Sequence, residues 1–238
     1  MAVKTDISWA HATWNPWVGC FKVSPGCKAC YMYRDQKRYG NDPKAIRRTK
    51  GAFTNPIKWA NAGKLSAGSR IFTCSWSDWF LVEADRWRDE AWEVVRSTPQ
   101  YIYLILTKRP ELIEERLPKN WLTQFNHVWL GVSVESQEYR FRADILKDIP
   151  AAKRFISYEP ALGPVNWDLD GIDWVISGGE SDKNPRRADL NWFRATRDQC
   201  KKEGVAYFHK QHGGSRKIDG AWGGVKLDGV IHHEFPGD

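Results

Sequence analysis

Six apolar, β-rich runs punctuate the chain: Ile71–Ser77, Tyr101–Thr107, Val128–Val134, Arg154–Tyr158, Trp174–Ser177 and Val205–Lys210. Amphipathic stretches lie between most of them, over Asp85–Arg96, Pro110–Leu117, Ser136–Lys147 and Leu190–Glu203. Alternation of strand and helix at roughly 20–30-residue intervals predicts parallel strands joined by crossover helices. A short strand over Asp6–Ala10 makes seven. The pattern predicts an α/β fold, a complete or partial TIM-type β/α barrel, with a doubly wound open sheet as the alternative.

Alternation within the runs assigns faces. Phe72, Cys74 and Trp76 share one side of their run, and Thr73, Ser75 and Ser77 the other. Val128, Leu130, Val132 and Val134 alternate with Trp129, Gly131, Ser133 and Glu135. Ser157 and Glu159 share a face, and Ser177 recurs one strand later. A buried parallel sheet without a cavity reads as nearly continuous hydrophobics. Small hydroxyls and carboxylates near the strand C-termini instead predict a ligand cavity at the barrel mouth.

At 238 residues, with 42% hydrophobic and 27% charged residues, the chain fits one large domain over 1–238. Within it, residues 14–34 form a candidate metal-cluster loop and 213–238 a Gly-rich extension of turns with one short strand or hairpin. No apolar run approaches the ~20 residues of a membrane span. The start, MAVKTDISWAH, lacks the apolar core of a signal peptide. A cytoplasmic protein is expected. The net charge of +7 is partly local. Arg34–Lys50 carries seven basic residues against Asp35 and Asp42, and Lys183–Lys217 carries ten against Asp189, Asp198 and Glu203. Such stretches suit a polyanion such as nucleic acid, or form solvated basic faces. Among the 14 tryptophans, Trp14, Trp17, Trp59, Trp76, Trp79, Trp121 and Trp129 are either base-stacking platforms or, as is more common, core groups.

Cys20, Cys27 and Cys30 stand in the run GCFKVSPGCKACY with C-x6-C-x2-C spacing. Gly19, Pro25 and Gly26 allow a tight wrap. Four thiolates complete a structural zinc site, whereas three leave a position open. The leading expectation is an iron–sulfur cluster with one open iron; the alternative is zinc with a distant fourth ligand such as His11. An odd count of five cysteines, three of them clustered, argues against a disulfide framework. Cys74 and Cys200 sit among apolar neighbours and read as core residues.

Lys108, Glu135, Glu159 and Lys210 fall at strand C-termini and are the candidate catalytic groups. Ser75, Ser77, Ser133 and Ser157, with Gly178, Gly179 and Glu180 of a GGE run, are candidate cofactor-binding residues. His209 and His212 flank Lys210, and Asp78 is a ligand, hydrogen-bonding or capping residue. P-loop, GxSxG, HExxH and GxGxxG patterns are absent, so nucleotide hydrolysis, serine-hydrolase and zincin chemistry are not indicated.

The run TWNPWVGCFKVSPGCKACY resembles the phage Gp37/Gp68 family (DUF5131-like, three-cysteine-motif proteins). The likeness continues through LILTKRP, GVSVESQ, ISYEPALGPV, VISGGES, the segment Arg197–Gly214 and LDGVIHHEFP. That family is in turn similar to radical S-adenosylmethionine enzymes of the spore-photoproduct-lyase-like branch. The resemblance implies a partial barrel with three cysteines after its first strand. It also implies a [4Fe-4S] cluster whose open iron binds S-adenosylmethionine, reductive cleavage of that cosubstrate, and an external electron donor. The usual first spacing in that branch is three residues, against six here. The GGE run follows an early strand there and a late one here. A nucleic acid or nucleotide substrate is expected, and the alternative is a non-enzymatic iron–sulfur or zinc protein that binds nucleic acid.

Overall fold

The computed structural model describes residues 5–237, so Met1–Lys4 and Asp238 of the expected 1–238 domain, and the start of the N-terminal segment, lie outside it. In chain order the elements are β1 (Ala12–Trp14), β2 (Trp17–Val18), α1 (Tyr31–Arg38), β3 (Arg47–Arg48), α2 (Asn55–Asn61), β4 (Arg70–Thr73), α3 (Asp85–Arg96), β5 (Ile102–Thr107), α4 (Trp121–Gln124), β6 (Val128–Ser133), α5 (Phe141–Asp148), β7 (Lys153–Tyr158), β8 (Trp174–Gly178), α6 (Leu190–Glu203), β9 (Ala206–Gln211), β10 (Lys217–Ile218) and β11 (Ala221–Trp222). The principal sheet has seven strands in the order β1-β4-β5-β6-β7-β8-β9, and β1/β4, β4/β5, β7/β8 and β8/β9 run parallel. Successive sheet strands are neighbours throughout. That is the order of a partial β/α barrel; a doubly wound sheet reverses its order at a switch point. Close contacts divide the chain into two compact units. One holds the described residues to Lys22, Cys30–Gly131 and Ile149–Ala152; the other holds Val23–Ala29, Val132–Asp148 and the described residues from Lys153.

Local chemistry sets the element ends. Asp189 caps α6 by accepting from Asn191 N–H at 2.9 Å, and Gly204, with φ 70°, stops it. Lys201 and Lys202 lie in its last turn, where the helix dipole favours cations. All six residues of β6 are buried, as expected of a strand covered on both faces. The stretch Pro110–Leu117 forms two 3-10 turns, Pro110–Leu112 and Glu114–Arg116, and ends where Leu117, directly before Pro118, takes the extended conformation that a following proline imposes. Ser136–Lys147 likewise divides into a 3-10 turn, Gln137–Tyr139, and α5. The Gly-rich extension contains the expected hairpin, β10 with β11.

Two strand expectations are corrected. Residues 6–10 form a turn closed by Ala10 N–H to Ile7 O at 3.0 Å, and the first strand is Ala12–Trp14. β4 ends at Thr73 because Cys74 takes φ 52° and Ser77 N–H closes a turn onto Cys74 O at 2.9 Å. Ser75 and Ser77 therefore leave the sheet.

The first unit packs around aromatic rings. Trp17, Trp14 and Trp92 meet Trp79 at centroid distances of 5.2, 5.7 and 4.9 Å, and Trp92 meets Trp121 at 5.7 Å. Trp14, Trp17, Trp59, Trp79, Trp121 and Trp129 are buried, so the core reading holds for six of the seven tryptophans singled out above; Trp76 alone is half-exposed. Register places Trp14, Thr73, Ile71 and Tyr103 on one face, toward Trp79, Phe53 and the end of α3, and Phe72 and Leu104 on the other. The alternation predicted the opposite phase for β4. Thr73 misleads because its hydroxyl is satisfied by Leu104 O at 3.2 Å, which lets a polar residue face the helices.

In the second unit, Tyr158, Ser177 and His209 share the face against α6, where Phe193 lies 6.1 Å from Tyr158 and 4.7 Å from His209. Ser157 pairs with Ile176 and lies on the opposite face. Ser177 thus does not recur on the face of Ser157 and Glu159. Its hydroxyl is engaged with Tyr207 Oη at 2.7 Å and His209 Nδ1 at 2.8 Å.

Candidate functional site

The cysteine loop leaves the C-terminal end of β1 and reaches α1, the position expected from its sequence. Gly19, with φ 98°, begins it; a side chain there would lie 2.5 Å from Ala45 O. Gly19 N–H bonds Trp76 O at 3.0 Å and its carbonyl accepts from Ser77 Oγ at 2.6 Å. The turn after β4 is tied in through Asn15, which accepts from Trp76 N–H at 2.8 Å and donates to Ser75 Oγ at 3.0 Å. Ser75 and Ser77, expected to face a cofactor, instead anchor this loop.

Cys20 is held by a buried ion pair. Arg109 bonds Asp78 at 2.9 Å, Phe21 O at 2.7 Å and reaches Cys20 Sγ at 3.9 Å. Asp78 also accepts from Thr107 Oγ1 at 2.7 Å, Phe80 N–H at 3.0 Å and Lys108 N–H at 3.2 Å. Tyr33 Oη donates to Cys20 O at 2.5 Å. Arg109 was not singled out by sequence, although it follows Lys108 directly in LTKRP. Lys108, the residue that was, is half-exposed beside it.

Cys27 belongs to a 3-10 turn, Pro25–Cys27, in the second unit. Ser24 lies 3.8 Å from Cys27 Sγ and donates to Glu135 at 2.5 Å. Glu135 is fully buried and pairs with Arg142 at 2.8 Å; Arg142 also bonds Ser133 O at 2.9 Å. Gly26 packs so closely on Glu135 that a side chain there would overlap the carboxyl. Glu135 therefore braces the arm that carries Cys27. Cys30 precedes α1 as its N-cap.

The donor chemistry separates the cysteines into two groups. Cys20, Cys27 and Cys30 stand outside any disulfide and are half-exposed. Cys74 and Cys200 are buried, as expected; burial pushes both thiols up, Cys200 to about 12, and makes them poor ligands. Among the described residues no three His, Cys, Asp or Glu side chains form a group that could hold a metal ion. A cubane cluster makes a different demand, since each thiolate binds its own iron. Cys20 and Cys30, in the first unit, and Cys27, in the second, are accessible thiols outside any disulfide, the residue type that such a donor set takes. His11, the fourth ligand of the zinc alternative, has Nδ1 occupied by Arg70 N–H at 2.9 Å.

In the second unit Lys210 pairs with Glu159 at 2.7 Å, both half-exposed. A register shift after Ser177 pairs Gly178 with Gln211 and re-aims Lys210. Gly178 leaves room for Glu159, whose carboxyl carbon a side chain there would approach at 3.1 Å. Gly179 lies against the His212 carbonyl, where no side chain fits. Gln211 Nε2 bonds Gly179 O at 3.2 Å and Ser181 Oγ at 2.6 Å. Glu180 is buried and paired with Arg186; burial alone raises its carboxyl, but the Arg186 hydrogen bonds outweigh that and hold it below the usual range. Its carboxylate is thus already paired within the chain. Ser133 and Ser157 are buried.

His209 is fully buried, and burial, with smaller effects from His212, His232 and His233, pushes it down to about 3. Its ordinary value is near 6.5, so the native state binds fewer protons than the unfolded chain across that interval. Stability from keeping His209 neutral is complete above about pH 6.5 and is lost as pH falls toward 3. Urea unfolding at pH 7 and pH 4.5 should show a midpoint that falls on acidification, with the fall reduced in His209→Phe.

The fold and loop define an α/β protein with a sequentially ordered parallel sheet and a three-cysteine loop after its first strand. Residues 4–236 match the family described as "Protein of unknown function (DUF5131)", and the chain belongs to it. No curated protein matches the sequence. Two solved structures are similar: spore photoproduct lyase complexed with dinucleoside spore photoproduct, and a point mutant of spore photoproduct lyase. For each the TM-score is 0.48 and the identity 15%, over 84% of this chain; the alignment spans 64% of the lyase chain. Among the described residues no helix is long and apolar enough to cross a membrane.

Proposed function

We propose that this protein is an iron–sulfur enzyme of radical S-adenosylmethionine type that acts on a nucleic acid or nucleotide in the cytoplasm. The observation that carries the reading is the loop itself: three accessible cysteines outside any disulfide within eleven residues, following the first strand of a parallel sheet. Cys20, Cys27 and Cys30 hold the cluster. When bound, a [4Fe-4S] cluster with an open iron would supply one electron to the sulfonium of S-adenosylmethionine.

The chain's own residues have separable roles. Asp78–Arg109 braces Cys20, and Glu135–Arg142 braces the Cys27 arm. Glu159 and Lys210 offer opposite charges beside Gly178, complementary to the amino and carboxylate groups of a methionine moiety. Ser133, Ser157, Gly179 and Glu180 are the further candidate cofactor-binding residues. Lys108 and the basic segments Arg34–Lys50 and Lys183–Lys217 supply cations of the kind that phosphate attracts.

Anaerobic reconstitution with iron and sulfide, followed by absorbance and EPR spectroscopy, tests the reading. The expected result is near-stoichiometric cluster, a signal perturbed by S-adenosylmethionine, and 5′-deoxyadenosine release with a reductant. A cluster that neither responds to the cosubstrate nor releases that product overturns the radical reading. Bound zinc without iron overturns the cluster.

A further inference from the structure

Sequence left seven tryptophans as either core or base-stacking groups, and the fold separates Trp76 from the rest. It lies in the turn after β4, half-exposed. Its ring faces that of Tyr39, at the end of α1, with centroids 6.3 Å apart and planes tilted by 36°. Tyr39 is 63% exposed, among the most exposed of the large apolar or aromatic side chains. Eight residues earlier on the same helix, Tyr31 is 40% exposed and anchors through its hydroxyl to Ser75 O at 2.6 Å. Three rings thus border one stretch of surface, and α1 begins immediately after Cys30.

The surrounding charge is predominantly basic: Asp35 is paired with Arg34, and Asp42 accepts from Lys44 N–H. Lys37, Arg38 and Lys44 are exposed and have no acidic partner among the described residues. Arg47 and Arg48 are already committed, Arg47 to Gln36 at 2.7 Å and Arg48 to Glu90 and the Phe53 ring. An apolar partner would gain nothing from three unpaired cations. A duplex would present its phosphates but no free base faces. Aromatic rings flanked by unpaired cations suit a single strand, whose bases stack while its phosphates meet the cations.

We infer that Tyr39 and Trp76, with Tyr31 beside them and Lys37, Arg38 and Lys44 around them, form a stacking site for unpaired bases of a single-stranded nucleic acid. The inference rests on the proposed nucleic-acid substrate and specifies how it is held; it names a site that would present unpaired nucleotides next to the cysteine loop.

Fluorescence anisotropy with labelled oligothymidylate of about 12 nucleotides, a length within the range single-strand sites cover, tests it on the reconstituted protein. Oligouridylate of the same length distinguishes RNA from DNA, and a duplex of equal length serves as competitor. Binding should weaken as salt rises. Tyr39→Ala should weaken it roughly tenfold or more, Tyr39→Phe should leave it near wild type, and the duplex should compete poorly. Trp76→Leu should weaken binding in the same direction. Unchanged affinity in Tyr39→Ala, duplex competition equal to the single strand, or no binding to either oligonucleotide overturns the inference. Iron content and 5′-deoxyadenosine release in the same variants keep the two ideas apart. A cluster that assembles normally while Tyr39→Ala binds like wild type sinks the stacking site alone. Binding that depends on Tyr39 in a protein that holds no iron sinks the enzyme reading alone.

Discussion

If the proposed iron–sulfur cluster is bound, Cys27→Ala is expected to abolish it: after anaerobic reconstitution, iron, sulfide and visible absorbance should fall to background. The effect is expected to be near-complete because three thiolates are the whole of the proposed protein ligand set and two do not retain a cubane. The fold should survive. Cys27 is half-exposed in a short turn, and substitution at such a position changes stability by about 0.5 kcal/mol or less. Cys200→Ala is the control with the opposite pattern. Cys200 is buried on α6, so its loss should lower stability while iron content stays at the wild-type level. Iron retained in Cys27→Ala would remove that residue from the ligand set.

Glu135→Gln is expected to be the most destabilising conservative change in the second unit. Glu135 is fully buried, and the Arg142 side chain is 3% exposed. Neutralising the carboxyl leaves a guanidinium in the interior without its counter-ion, which typically costs about 3–5 kcal/mol. Urea denaturation measures the loss. Glu135→Gln combined with Arg142→Met should recover part of it, because the stranded charge is then gone. A loss under about 1 kcal/mol would show the pair to be well solvated. The same variant should lower cluster occupancy, since Ser24 hangs the Cys27 arm on this carboxylate.

Glu135 shows how far sequence reading reached. Its position at a strand end made it a catalytic candidate, yet the fold spends both carboxyl oxygens on Ser24 and Arg142. Nothing local in GVSVESQ announces an arginine seven residues ahead as a buried partner. Arg109 was missed for a related reason: beside Lys108 it reads as another surface cation until Asp78 and Phe21 are brought to it. Glu159 and Lys210 were both singled out, but their direct pairing requires two strands separated by β8 and depends on the register shift that aims Lys210.

Periodicity and composition alone determined the order of the six later sheet strands, the parallel α/β class, the buried character of Cys74 and Cys200, and the separateness of the three-cysteine loop. Those properties follow from short-range patterns, which a single chain displays in full. Tertiary structure alone decided which face of each strand meets the helices, since a one-residue phase change exchanges every side chain and a satisfied threonine hides the error. It also decided which charged groups are braces and which remain open, and which of the seven singled-out tryptophans stays at the surface. Pairing and exposure are set by residues distant in sequence, so the same lysine, glutamate or indole reads identically until the sheet places its neighbours.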